Sequence, residues 1–274
     1  MMFLSRLARD RTAVACLAIV AVVILAGIFA DVLPLNDPTK VNVLAKFRAP
    51  SAKFPLGTDH LGRCTLSRLV HGIRPTVLLS LVTMACTLAR GTLVGLVSGY
   101  FRGTVDELFM RTCDILLSFP SQVMILAVVG VLGPGMMNVV LANIVIKWAW
   151  YARMIRSSVI RFGDRGYVLF SKVSGAGTPF ILFRHILPGV ASELLVLASL
   201  DMGWVILNIS TLSFLGLGVQ APAPEWGAML SEAKEVMGRA PLLMFVPGTA
   251  IMAVVSAFNL IGDSVRDAMD PKTL

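Results

Sequence analysis

From Ile115 to Ile146 the chain runs without one charged side chain, and Gly133-Pro134-Gly135 interrupts the run near its middle. A bilayer core about 30 Å thick needs roughly 20 mainly apolar residues per helical crossing, so this run with a turn signal inside it predicts two crossings joined as a tight hairpin. Four further stretches meet or approach that length, which gives spans at roughly 12–33, 77–100, 114–132, 136–153, 186–217 and 241–262. Backbone groups in lipid must find their partners inside the protein, so the fold class is all-α: a polytopic membrane protein of six transmembrane helices. Residues 1–274 read as a single membrane domain, with a core at about 77–265 and a first span plus outer loop in 1–76.

Composition agrees, because 56% hydrophobic and 15% charged residues lie outside the range of ordinary soluble domains. A net charge of +8 would suggest nucleic acid in a soluble chain; here Lys and Arg at membrane edges account for it, and the lipid bilayer, not nucleic acid, is the expected partner. Cys16, Cys64, Cys86 and Cys113 are scattered without a Cys-x-x-Cys, so neither a disulfide framework nor a zinc site follows. Arg6, Arg9 and Arg11 before the uncharged run Thr12 to Ala30 have the outline of a signal peptide, but that run exceeds an h-region of roughly 7 to 15 residues and more spans follow. The expectation is a retained first helix.

An even number of spans puts both termini on one side. Thirteen Lys and Arg fall on the terminal side and nine on the other, a bias toward a cytoplasmic terminal side that is too weak to decide orientation by itself. Within the second span Gly91, Gly95 and Gly99 form a stripe at spacing four that permits close approach of a neighbouring helix. Charges in or near the spans are costly and mark cavities, partners or snorkelling side chains. Lys147, in the aromatic cluster Trp148, Trp150 and Tyr151, is expected to reach the headgroups, and Glu193 to pair with Arg184 or Arg153. Arg90 and Asp201 lie deeper. They either pair across helices or, with Asn208 two turns beyond Asp201, line a watery path.

The loop from Pro34 to Pro75 predicts a helix starting at Thr58-Asp59, with Leu61, Leu66, Leu69, Val70 and Ile73 on its apolar face and Arg63, Arg68 and Arg74 on the rest. Asp59, His60, Cys64 and His71 offer oxygen, nitrogen and sulfur to a metal, and His60 and Cys64 at i, i+4 would share a face; a capped interfacial helix is the default reading. No Gly-Lys pair exists, so a phosphate-binding loop cannot form, and neither Gly-x-Ser-x-Gly nor His-Glu-x-x-His occurs. The chain is therefore read as a non-catalytic subunit that binds no cofactor of its own.

Between the fourth and fifth predicted spans lies a polar loop, Arg165 to Pro188. Tyr167, Phe170 and Val173 at spacing three share a helix face, Asp164 stands as an N-cap, and Gly175 and Gly177 end the helix. So short an amphipathic helix needs cover, from headgroups or from a groove on another protein. A short helix, a Gly, and then Ile186-Leu-Pro188 resemble the cytoplasmic coupling loop of ABC importer permeases. Leu56-Gly-Thr-Asp-His-Leu-Gly-Arg63, Trp148-Ala-Trp-Tyr-Ala-Arg153, Leu212-Ser-Phe-Leu-Gly-Leu-Gly-Val219 and Pro224-Glu-Trp-Gly227 extend the resemblance over nearly the whole chain, to the C-type permeases of dipeptide, oligopeptide and nickel importers. The Trp148 to Arg153 segment and Asp201 are most similar to the nickel branch.

The resemblance implies a bacterial inner-membrane permease subunit with both termini cytoplasmic. Its expected partners are a second homologous permease, two cytoplasmic ATPases that use ATP and Mg, and an extracytoplasmic solute-binding protein. Tyr167, Phe170, Ser171, Val173 and Gly175 would couple to the ATPase, and Asp201, Arg90 and Asn208 would lie on the translocation path. Nickel, free or chelated, is the implied substrate, with dipeptides or oligopeptides as the alternative. A channel or ion-coupled carrier that needs no ATPase is a different class, and it would want a ring of pore charges that these spans do not offer. Two positions depart from the family pattern: Leu169-Phe170-Ser171 replaces an acid-Ala-Ala triplet, and Cys64 stands where Asp is usual.

Overall fold

Asp10 caps the first helix and also touches the last. Its carboxylate accepts the Thr12 N–H at 2.9 Å and the Ser264 hydroxyl at 2.6 Å, so the two described ends of the chain meet at one end of the helix bundle. The computed structural model describes residues 7–269; Arg6 of the basic N-terminal cluster lies outside them. Its helices are α1 (Arg11–Ile28), α2 (Thr65–Ile73), α3 (Leu79–Phe101), α4 (Gly103–Leu117), α5 (Ser121–Leu132) and α6 (Met136–Gly163), followed by α7 (Gly166–Val173), α8 (Leu187–Phe214), α9 (Trp226–Lys234) and α10 (Leu242–Met269). The only bridge among the described residues is an isolated Thr58–Cys64 pair.

Helices α2 and α3 are one rod with a wide turn between them, in which the Leu79 N–H reaches back five residues to the Arg74 carbonyl. Pro75 has no N–H to give the regular ladder, and the wide turn absorbs the mismatch. A second such turn, with Leu187 N–H bonded to the Leu182 carbonyl, joins Thr178–Phe180 to α8. Each rod runs 37 residues, about 55 Å at 1.5 Å per residue, so both protrude well beyond a bilayer core.

By length and apolar content four helical stretches can cross a membrane: Arg11–Ile28, Thr65–Phe101, Thr178–Phe214 and Leu242–Met269. A fifth span requires counting α4 and α5 together, and these meet at 87°. The straight span expected at 114–132 is thereby corrected. Pro120 disfavours helical backbone at Phe119 and cannot donate to the ladder, so the chain turns a corner there despite its unbroken apolar composition. The Gly133 to Gly135 turn does produce the hairpin of α5 on α6, with Gly133 and Gly135 both at positive φ. Helix α6, 28 residues long, is long enough to span but is not counted among the apolar candidates, because Lys147, Arg153, Arg156 and Arg161 lie along it.

What α6 lacks in apolarity it gains in packing. A Cβ on Gly91, Gly95 or Gly99 of α3 would stand 2.5 to 2.8 Å from the Tyr151 Cβ, the Ala152 carbonyl oxygen or the Val159 Cβ of α6, so the glycine stripe lets the two backbones touch. This pair of helices is the frame on which the central charges are held.

Candidate functional site

At the end of the bundle where Asp10 meets Ser264, α7 stands out from the spans. Val168 is fully buried and anchors it, while Tyr167 and Leu169 are half-exposed and Phe170 and Val173 are 74% and 88% exposed. Phe180 and Phe183, in the segment that follows, are also more than half exposed. The expected cap is corrected: Arg165, not Asp164, occupies the N-cap, and Asp164 instead pairs with Arg102 at 2.8 Å, tying α6 to the α3–α4 corner. Ser171 turns toward His185, with its hydroxyl 3.0 Å from Nε2, so it fastens α7 to the following rod while Phe170 and Val173 face outward. His185 is wedged between the rings of Tyr167 and Phe180, at 5.8 and 5.3 Å. Gly175 ends the helix at φ +80° with open space around its Cα, a left-handed stop that glycine adopts without strain.

Two polar cross-links join the antiparallel helices α6 and α8 at successive depths. Nearest α7, Glu193 accepts from Ser158 and Arg161; the expected partners are corrected, since Arg153 pairs with Asp114 and Arg184 takes no part. At mid-span Asp201 accepts from the Tyr151 hydroxyl, with the Lys147 ammonium 3.5 Å away. Lys147 also lies 3.4 Å from the ring centroid of Trp204. The snorkelling expected of Lys147 is therefore corrected: a carboxylate and an indole face within reach hold the ammonium inside. The Arg90–Asp201 pair does not form either, because Arg90 is exposed on α3 and stacks on Trp148 at 4.9 Å. Asn143 and Asn208, further along the same two helices, are both buried, and among the described residues each keeps a side-chain oxygen without a partner. Asn208 thus faces the packed interior rather than an open surface of this chain.

At the opposite end the outer loop folds down on α9. Residues 58–64 form a turn and the helix begins only at Thr65, so the helix start expected at Thr58-Asp59 is corrected. The Asp59 carboxylate explains this: it accepts the backbone N–H groups of Leu61 and Arg63, both at 2.9 Å, and closes a turn instead of capping a helix. Arg63 and Arg68, expected on the polar face of an interfacial helix, are buried between Asp59 and Glu232 with contacts of 2.5 to 2.7 Å. Burial alone would raise the Asp59 carboxyl, but the Arg63 amide and the charges of Arg68 and Arg63 outweigh it and hold the group below the usual carboxylate range. Beside this clamp Glu225 caps α9, bonded to Ala228 N–H and to the Thr76 hydroxyl at 2.8 and 2.9 Å, and burial pushes its carboxyl upward.

The metal reading of this loop does not survive in its expected form. Cys64 is buried and His60 no longer shares a helical face with it; His71 faces Asp31 at 3.5 Å. Ligand atoms of Asp59, His60 and Glu232 do gather within 4.8 Å of one another. Two guanidinium groups already occupy both carboxylates, so the arrangement is a charge-balanced clamp and a poor cation site. Its members were invisible as a set because Glu232 lies far along the chain from Arg63. The central cluster did leave a signal: Lys147 and Tyr151 at spacing four, and Asp201 and Trp204 at spacing three, each share a helix face.

Residues 91–274 match the family model described as "binding-protein-dependent transport system inner membrane component", and residues 1–50 match that of the "N-terminal TM domain of oligopeptide transport permease C". The metal-staphylopine import system permease protein of Staphylococcus aureus is 42% identical over 272 residues, which cover 99% of this chain and 94% of the relative. The nickel transport system permease protein of Escherichia coli is 42% identical over 235 residues, 86% of this chain and 85% of the relative. A dipeptide transport system permease protein of Alkalihalophilus pseudofirmus is 38% identical over 267 residues, 97% of this chain and 88% of the relative.

Proposed function

The chain belongs to the inner-membrane components of binding-protein-dependent transport systems, the permease subunits of ABC importers, and on that premise we propose that it carries nickel, free or chelated. The energy comes from ATP hydrolysed with Mg on two cytoplasmic partner chains; a second homologous permease completes the pore and an extracytoplasmic binding protein delivers the solute. One observation carries the coupling role: the uncovered Phe170 and Val173 face of α7, rigidly fastened to the α8 rod through Ser171 and His185. An ATPase groove that covers this face can push the rod, and rocking of the two permease halves then alternates access.

Six crossings are the count this reading takes. The contact of Asp10 with Ser264 favours an even number, and the four apolar stretches, the bent pair α4–α5 and α6 together make six. The end bearing α7 is then cytoplasmic, with both termini, and the clamp of Asp59, Arg63, Arg68 and Glu232 lies outside. Nickel is preferred over peptides because two of the relatives above, at 42% identity, import nickel or a metal complex by name, whereas the dipeptide permease stands at 38%. Dipeptide or oligopeptide uptake is the second reading. Accumulation of radioactive nickel and of a labelled dipeptide, in cells with and without this chain, tests it: nickel uptake alone should depend on the chain, and dependence of peptide uptake alone would reverse the assignment.

A further inference from the structure

We propose that Lys147 and Asp201 form a two-charge contact on the translocation path for a solute that carries its own carboxylate beside a cationic centre, with Lys147 as the residue that imposes the carboxylate requirement. The inference rests on the nickel-permease reading above. Both side chains are largely but not fully covered, 14% and 19% exposed, at the level where α3, α6 and α8 meet. Neither is saturated. Asp201 receives Tyr151 and Lys147 on the same oxygen, Oδ2, and among the described residues its Oδ1 accepts no hydrogen bond. Lys147 has three N–H donors, and the described residues offer them one carboxylate oxygen and the Trp204 ring.

A carboxylate alone at this depth would suit a bare divalent cation. With an ammonium 3.5 Å away the pair is neutral overall, and a bare cation approaching Asp201 meets the repulsion of Lys147 as well. A solute that presents an anionic group to the free donors of Lys147 and a positive centre to Asp201 Oδ1 satisfies both at once. A nickel complex of an amino acid has that pattern, and so does the zwitterion of a dipeptide. Tyr151 and Trp204 are the positioning residues: the hydroxyl fixes which carboxylate oxygen is spent inside the protein, and the indole face keeps the ammonium from swinging to the headgroups.

The complete transporter, with its binding protein and ATPases, is assayed for uptake of nickel chloride, of nickel supplied with excess histidine, and of a labelled dipeptide. The wild-type chain should carry the histidine complex well and bare nickel poorly. A charge-assisted contact to a solute carboxylate corresponds to about 10- to 100-fold in rate, so Lys147→Met should lose at least tenfold on the complex and Lys147→Arg should recover most of it. Copurification of the ATPases shows that each variant still assembles. The neutral double variant Lys147→Met/Asp201→Asn separates a contact from a staple: it should remain defective, whereas recovery to wild-type uptake would mean the pair only holds α6 to α8 and would overturn the proposal. Normal uptake of the complex by Lys147→Met, or equal uptake of bare and complexed nickel by the wild type, would also overturn it. If the wild type carries no nickel in any form, the nickel reading fails by itself. The same variants are then read on the dipeptide, where a tenfold loss in Lys147→Met upholds the contact and normal uptake removes it.

Discussion

Replacing Phe170 by Ala should detach the permease from its ATPase while leaving the permease itself intact. A phenylalanine presents on the order of 200 Å², and with 74% of it uncovered about 150 Å² awaits burial by a partner. At roughly 25 cal/mol per Å², and with the remaining methyl discounted, the truncation costs about 3 kcal/mol of docking, on the order of 100-fold in affinity. That size is typical of a dominant interface residue. The assay is a titration of detergent-solubilised permease with the purified ATPase, read by copurification, together with a melting curve of the permease alone. Phe170→Ala should shift the titration by about two orders of magnitude and leave the melting curve in place. Val168→Ala, at the fully buried anchor of α7, should do the reverse and lower the melting temperature. An unchanged titration for Phe170→Ala would refute the docking of this face, and a lowered melting temperature would show that Phe170 packs within the chain.

Other perturbations test the frame. Gly95→Ala places a Cβ 2.8 Å from the Ala152 carbonyl oxygen and should destabilise by about 1–3 kcal/mol in a melting experiment, while Gly130→Ala, with open space around it, should be neutral or slightly stabilising; equal effects would sink the close-packing account of α3 and α6. Because the Asp59 carboxyl is held below its unfolded value of about 3.9, its contribution is present above that pH and is lost as pH falls through the folded value; Asp59→Asn should cost about 3–5 kcal/mol at neutral pH and the difference from wild type should shrink on acidification below about pH 4, whereas parallel pH curves would remove the clamp. In a background lacking the four native cysteines, Ala52→Cys should react with an impermeant maleimide from outside intact spheroplasts and Ser174→Cys should not; both are exposed side chains, so the reverse pattern would invert the orientation.

The sequence made the uninterrupted spans legible because an apolar run long enough for lipid has few other uses. The hairpin turn, the glycine stripe and the exposed face of α7 were readable for the same kind of reason, since each is a local pattern with one geometric consequence. Pro120 is the local signal of the corner, but hydropathy is blind to direction, and an apolar run can turn 87° without changing composition. Charge partners were the real loss. Arg90 and Asp201 look like natural complements by depth, yet Lys147 and Tyr151 on α6 win because the helix register brings them to Asp201 first. Glu232 and Arg68 are far apart in the chain, and no spacing rule connects them.

The central claim is ATP-driven passage of nickel through this chain. Proteoliposomes reconstituted with the permease pair, the ATPases and the solute-binding protein, and loaded with ATP and Mg, allow it to be measured directly. Radioactive nickel, offered as its histidine complex, should accumulate inside only when ATP is present and only when this chain is included. Equal accumulation without ATP would contradict the account in favour of a channel or ion-coupled carrier, and accumulation of a labelled dipeptide without nickel would contradict the substrate.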